Sequence, residues 1–443
     1  MANWEERLAL GLGITAMLWK NIRPGRDGQG RSHVPPSQPG ISVVIPSREG
    51  RHLLERMLPG VKSDLSNGEI IIVDNGSSDG TAEFLQRSHP QVRVDVHAAP
   101  LSFARAANRG AELARYDRLC LLNNDMEVEP GFFSALDTAF QQDPALFGAS
   151  AQIFFPEGVR REETGKTAMR RAETLTPDDY PVFCDLPAPG ESFSPVLYGS
   201  GGCSLYDRRK FLELSGFDEF YEPAYVEDLD LGYRAWLHGW PSVYVAGARV
   251  LHRHRATSSR FYTTEQLSSF LEMNHVRFLL RAMQSLEVFV PYYRHAVARV
   301  RSRAPELWPQ ITHPGQVFAA ASKPGLSRAR GEREILDLTG GAVRVFPGQR
   351  PCPDPDSGRK VLVSAGSTKP PEGWLEKLAE GAEIYYTAYC KPRAAPEPKL
   401  LELCRAVIFV DGPAGEGPYR SALNEARRRY SIQETIPLEA RFE

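Results

Sequence analysis

Apolar positions cluster in short runs separated by polar segments with helical spacing, and the two patterns alternate from residue 41 onward. Ile41-Ser42-Val43-Val44-Ile45 is a β-branched run closed by Pro46, and Arg51 to Leu65 has apolar residues at helical intervals. Glu69 to Val73 predicts a second buried strand, followed by a turn from Asp74 to Gly80 and a helix over Thr81 to Ser88. Val92 to His97 predicts a strand, Ala104 to Arg115 a helix, and Arg118 to Leu122 a strand again. Strands alternating with helices at this spacing predict an α/β fold whose mostly parallel sheet is covered on both faces.

Beyond Gly131 the pattern gives a helix through Phe140 and a strand over Phe147 to Phe155. Pro156 to Pro195 reads as a long polar, Pro-rich connection of the kind that forms a lid or binding loop. Helices are expected over Arg208 to Leu214 and Asp228 to His238, strands over Ser242 to Ala246 and Arg249 to Leu251, and one long helix over Glu265 to Leu286. These readings divide the chain into an N-terminal helix and linker (1–40), a main α/β domain (41–290), a helical region and linker (291–355), and a small α/β accessory domain (356–443).

Net charge of −2 gives no bulk attraction to nucleic acid, which is excluded as a leading partner. The six cysteines show neither C-x-x-C pairing nor metal-finger spacing, which fits a reducing, cytoplasmic location. Leu8 to Trp19 is apolar but falls short of the ~20 residues needed to span a bilayer. Trp4, Leu8, Leu12 and Trp19, with Arg7, Lys20 and Arg23 nearby, form either an interfacial helix, giving residues 1–23 a peripheral contact at the inner face of the cell membrane, or a helix docked on its own domain.

The polar clusters Pro46 to Glu49, Asp74 to Asp79 and Asn123 to Asp125 each follow a predicted strand, so all three are expected on one rim, where ligands of such sheets bind. Asp74 there either accepts hydrogen bonds from a base or ribose, or caps a βα turn. Asp125 follows an apolar run with no intervening turn, and one exposed aspartate with substrate phosphate oxygens can hold Mg²⁺ or Mn²⁺. Glu227 and Asp228 open a helix, where the dipole favours acids, and Asp228 is the candidate base if it faces the cleft. His252 ends a predicted strand and is a candidate metal ligand or a structural histidine.

Together these residues resemble glycosyltransferase family 2, inverting nucleotide-sugar enzymes of the glycosyltransferase A fold. The resemblance runs in order through Val43 to Ser47, Val73 to Gly80, Phe103 to Gly110, Leu122 to Asp125, Gly216 to Glu219, Glu227 to Leu231 with Arg234 and Gly239-Trp240, and His252. It implies that Pro46, Glu49 and Asp74 line the nucleotide pocket, that Asn124 lies near the ribose, and that Arg105, Glu227 and Arg234 complete the donor-binding set. It further implies Asp125 and His252 as metal ligands for Mg²⁺ or Mn²⁺, Asp228 as catalytic base, and Gly201 and Gly202 where donor sugar and acceptor meet. Expected partners are a UDP-, GDP- or dTDP-sugar donor and a saccharide or lipid-linked acceptor in bacterial surface polysaccharide or glycolipid assembly, with a rhamnosyltransferase-like spacing. The competing class is a non-catalytic nucleotide-sugar-binding or scaffold protein of the same fold. Retention of both Asp125 and Asp228 argues against it, since a binding module needs no base.

Overall fold

The computed structural model describes residues 4–22, 34–158, 161–163, 165–170, 172, 175–185, 193–253, 261–322, 329–339, 360–362 and 383–385. In chain order the elements are α1 (Trp4–Ile22), β1 (Gln38–Ser47), α2 (Arg51–Asp64), β2 (Gly68–Asn75), α3 (Thr81–Ser88), β3 (Arg93–His97), α4 (Phe103–Leu113), β4 (Tyr116–Leu122) and β5 (Met126–Val128). They continue with α5 (Phe132–Gln142), β6 (Gly148–Phe154), β7 (Arg161–Glu163), β8 (Lys166–Met169), β9 (Val182–Asp185), β10 (Phe193–Val196), β11 (Cys203–Asp207) and α6 (Arg208–Glu213). The last of those used below are α7 (Glu227–Leu237), β12 (Ser242–His252), α8 (Thr264–Ala282) and α9 (Leu286–Arg303).

Ten strands make one sheet, whose main path runs β10-β12-β6-β11-β4-β1-β2-β3. The β4-β1-β2-β3 half is parallel, as crossover helices require, whereas β11 runs antiparallel to both β4 and β6. Side chains alternate between the two faces: Val43 and Ile45 enter the core beneath α2 and α5, while Val44 enters the core beneath α4. Gly110 lets α4 lie close to the sheet, because a Cβ there would sit 2.1 Å from Cγ1 of Val44.

A third core lies outside the sheet and joins α1, α7, α8, α9 and the helices up to Ile335, so packing continues without a break past residue 290. The α7 helix belongs to two cores at once, with Leu231 and Ala235 toward the sheet and Leu229, Tyr233 and Trp236 toward the helical layer. That is why all but one of its residues are buried, Asp228 being the exception.

Three expected elements differ. The strands expected over 242–246 and 249–251 are the single β12, whose register on β6 shifts between Tyr244 and Arg249. The helix expected over 265–286 is broken at Met283-Gln284-Ser285 into α8 and α9, because the backbone N–H groups of Gln284 and Ser285 turn outward to donate to the Glu332 carboxylate. The long connection over 156–195 contains β7, the β8–β9 hairpin and the start of β10. Of the accessory domain expected over 356–443, only Lys360–Leu362 paired in parallel with Glu383–Tyr385 lies within the described residues.

Candidate active site

β1, β2 and β4 end side by side, with Ser47 opposite Asp74 in register, and this brings the three polar clusters to one rim. Glu49 adopts a left-handed backbone (φ 49°) and turns its carboxylate onto the next loop, where Oε1 accepts from the backbone N–H (2.8 Å) and hydroxyl (3.0 Å) of Ser78. In return the Glu49 N–H donates to Ser77 Oγ at 2.9 Å. Asp74 is 1% exposed and its Oδ1 accepts from the Ser77 N–H at 3.2 Å. Burial raises its pKa, the Ser77 hydrogen bonds oppose the rise, and the charges of Asp79 and Glu49 add to it. Both carboxylates therefore shape the loop beside Pro46, and Gly76 makes its turn with φ 74°.

Asn124 donates from Nδ2 to Ser47 Oγ at 2.9 Å, tying the end of β4 to that of β1. Asp125 is 8% exposed, and Oδ1 accepts no hydrogen bond among the described residues. The Nε2 atom of His252 lies 3.4 Å from that oxygen. The encounter is built by the sheet, since β5 pairs antiparallel with the end of β12 and sets His252 opposite Met126. Among the described residues no group of three or more His, Cys, Asp or Glu side chains forms a complete metal cage. A buried carboxylate oxygen without a donor, beside an imidazole, nevertheless fits a cation that takes its remaining ligands from phosphate oxygens and water.

The segment feeding α7 is strained: Tyr225 and Val226 have φ of 73° and 80°, a region that a β-branched side chain rarely enters. The strain sets Asp228 at the mouth of the helix, half-buried, with Oδ2 accepting from the Gly201 N–H at 3.2 Å and Oδ1 from the Leu229 N–H at 2.8 Å. Burial raises the pKa of Asp228, opposed by these amides. Glu227 is buried with Oε2 lacking any hydrogen-bond partner among the described residues, and burial followed by the Asp228 charge raises its pKa as well.

Gly201 and Gly202 join this helix to the Asn123–Asp125 corner. A Cβ on Gly201 would lie 3.3 Å from Phe103 and 3.5 Å from both Asp228 and Phe217, and one on Gly202 would strike Asn123 Nδ2 at 2.4 Å. The Gly202 carbonyl accepts from the Asn123 N–H at 2.8 Å while the next amide back, Gly201, holds Asp228. Two consecutive glycines thus bridge the Asp125–His252 corner and Asp228.

The other expected donor-binding residues stand apart. Arg234 is 1% exposed, and its guanidinium donates to Asp230 at 2.6 Å and to the carbonyls of Leu214 (2.7 Å) and Gly216 (2.8 Å). Its fork is filled by its own fold, so Arg234 is a structural residue of α7. Arg105 is half-exposed at the start of α4, paired with Glu222 and, at 3.3 Å, with Glu219. Sequence reasoning missed Ser47, the anchor of Asn124, and Phe103 and Phe217, which flank Gly201 beside Asp228. It also missed Tyr180, whose hydroxyl pKa is raised by burial, by Glu272 and, after the opposing Arg299, by Asp228. The signal for Phe103 and Phe217 was available, since each sits within a motif quoted for its neighbours.

Residues 42–214 match the model of the family described as glycosyl transferase family 2. An N-acetylglucosaminyl-diphospho-decaprenol L-rhamnosyltransferase of Mycobacterium tuberculosis is 30% identical over 251 residues, 49% of this chain and 76% of that protein. A validoxylamine A glucosyltransferase of Streptomyces hygroscopicus subsp. jinggangensis is 27% identical over 237 residues, 47% of this chain and 53% of that one. Among solved structures, GalNAc-T7 with UDP, GalNAc and Mn²⁺ gives a TM-score of 0.45 at 19% identity, covering 63% of this chain and 57% of that one. The mannosyltransferase PcManGT of Pyrobaculum calidifontis with GDP-Man and Mn²⁺ gives 0.39 at 16% identity, covering 72% and 88%. The α/β sheet, the rim that its strand ends build and the extent of the rhamnosyltransferase match agree: this chain belongs to glycosyl transferase family 2.

Proposed function

We propose that the protein is an inverting, divalent-metal-dependent glycosyltransferase that moves a sugar from a nucleotide donor to the hydroxyl of a saccharide or lipid-linked acceptor in bacterial cell-surface glycan assembly, at the cytoplasmic side of the membrane. The observation that carries the reading is the two-glycine bridge: the Asn123 N–H bonds Gly202 and the Gly201 N–H bonds Asp228, which puts a proton acceptor next to the corner formed by Asp125 and His252. The lipid-linked acceptor is suggested by the name of the mycobacterial relative.

In this reading Pro46, Glu49, Asp74 and Asn124 bound the nucleotide pocket, and Gly201 and Gly202 leave room where the sugar meets the acceptor. Asp125 and His252 would hold Mg²⁺ or Mn²⁺, which when bound supplies positive charge to the departing diphosphate. Asp228 accepts the acceptor's hydroxyl proton as that oxygen forms its bond to the anomeric carbon and the bond to the diphosphate oxygen breaks, which inverts the configuration. Its raised pKa makes it a stronger base than an ordinary aspartate.

Donor binding and transfer measured on two variants test this. Purified protein is screened for Mn²⁺-dependent thermal stabilisation by nucleotide sugars, and the donor so found is used throughout. Asp228→Asn is nearly isosteric but cannot take the proton, so transfer should fall by about 10²–10⁴ with donor affinity kept within a few-fold. Asp125→Ala should abolish the Mn²⁺ dependence of donor binding. Wild-type transfer by the Asp228 variant would move the base elsewhere, and absence of transfer by the wild type with every donor would favour a binding or scaffold protein.

A further inference from the structure

The described residues carry five exposed large hydrophobic side chains, and four of them lie on α1: Trp4 (71% exposed), Leu8 (44%), Leu18 (46%) and Ile22 (79%). Their spacing of 4, 10 and 4 residues follows the helical repeat, so they fall on one stripe, with Gly11 and Thr15 exposed between them. The opposite face is fixed in place: Ala9, Gly13, Ala16, Met17 and Lys20 are buried. Lys20 Nζ donates to the Leu280 carbonyl at 2.7 Å and to that of Met283, and Glu6 pairs with Arg301 at 2.8 Å. A helix wholly designed for solvent would carry charges on the free face, and one wholly buried would have no free face. This helix has an anchored face and an apolar free one.

We propose that the free face of α1 is a docking surface for an anionic lipid bilayer, on which the helix lies flat with Trp4, Leu8, Leu18 and Ile22 entering the headgroup region. Charge favours lipid over a second protein surface. Arg7 is exposed next to Trp4 and Leu8, and the sequence beyond the helix continues with Arg23, Arg26 and Arg31 against the single acid Asp27. No described helix is long and apolar enough to cross a membrane, so the stripe would seat the chain on the bilayer without spanning it. The face beneath it shares one core with Leu229 and Tyr233 of α7, which carries Asp228, so docking would fix the orientation of the active site to the lipid surface.

The inference is independent of sugar transfer, because it is read by binding alone. Full-length protein is cosedimented with vesicles of phosphatidylglycerol mixed with phosphatidylcholine and with phosphatidylcholine alone, and its oligomeric state is measured by light scattering. The wild type should sediment with the anionic vesicles and be released by salt. Leu8→Glu combined with Leu18→Glu places charges at exposed positions, so it should keep the wild-type melting temperature while vesicle affinity falls by about tenfold or more. The proposal is overturned if the wild type stays in the supernatant with anionic vesicles, or if the double variant sediments as the wild type does. It is also overturned if the stripe instead pairs two copies, seen as a dimer that the same substitutions dissociate.

Discussion

Glu227 is the residue whose chemistry most strains its surroundings. Its carboxyl is buried beside Asp228, and one oxygen has no donor among the described residues, so ionising it in the folded protein costs free energy. Its folded pKa lies above the unfolded value, so between the two the folded chain holds a proton that the unfolded chain has released. Stability is therefore lost as pH rises from the ordinary glutamate range, about 4, and the loss is complete once the folded group itself ionises. Glu227→Gln removes the titration: its melting temperature should exceed the wild type's at about pH 8 and the gain should shrink to nothing near about pH 4. Equal gains at both pH values would show that volume or hydrogen bonding, not charge, is the cause. The sequence singled out Asp228 among these acids on the condition that it faces the cleft, and could not show which way each acid turns. Asp228 faces the Gly201 amide while Asp230, two residues on, is fully buried against Arg234 and Tyr221, because a helix turns successive side chains to different surroundings.

At the scale of elements, the strands and helices of the parallel half were legible because each depends on its own run of apolar residues. β1 and β2 fall where Ile41–Ile45 and Glu69–Val73 place them. The α8–α9 break was not legible, since what ends α8 comes from distant parts of the chain: Glu332 accepts at Gln284 and Ser285, and Lys20 of α1 donates to carbonyls at the end of α8. A lysine at the tail of one helix thus serves as the cap of another. Lys20→Met keeps most of the volume and removes the donor, leaving buried carbonyls without it. Denaturant unfolding should show a loss of about 1–3 kcal/mol. A change near zero would mean that water replaces the ammonium and that α1 is held by packing and its remaining polar contacts, Glu6 with Arg301 and Asn21 with the Gln284 carbonyl. The antiparallel β11 was hidden altogether: no strand was expected over Cys203–Asp207, whose five residues are too few to set a period or a direction.

Across the whole molecule, the helical layer holds the β8–β9 hairpin, whose Met169 enters its core. Its arm is strapped to α9: the Tyr292 hydroxyl donates to the Arg170 carbonyl at 2.7 Å, Arg299 to the Asp178 carbonyl at 2.9 Å, and Arg303 pairs with Asp178 at 2.7 Å. Arg299 is itself fixed by a buried pair with Glu272 on α8. The arm carries Tyr180, whose ring lies 5.3 Å from the Arg299 guanidinium and whose hydroxyl pKa is raised by burial first and by the charge of Asp228 least. The sequence showed this stretch as a long Pro-rich connection suited to a lid; it held no hint that α9 would fix it, since that contact joins residues more than a hundred positions apart. Under the proposed function the nucleotide would be bounded by the ends of β1, β2 and β4, on the far side of the glycine bridge from Asp228, so the arm is expected to touch the acceptor and not the donor. Tyr180→Ala is therefore expected to raise the acceptor KM by about tenfold, the loss of one buried aromatic contact, while donor affinity measured by calorimetry stays within about twofold. A matching loss of donor affinity would place Tyr180 on the nucleotide side, and an unchanged acceptor KM would leave the arm as a brace for α9 with no part in recognition.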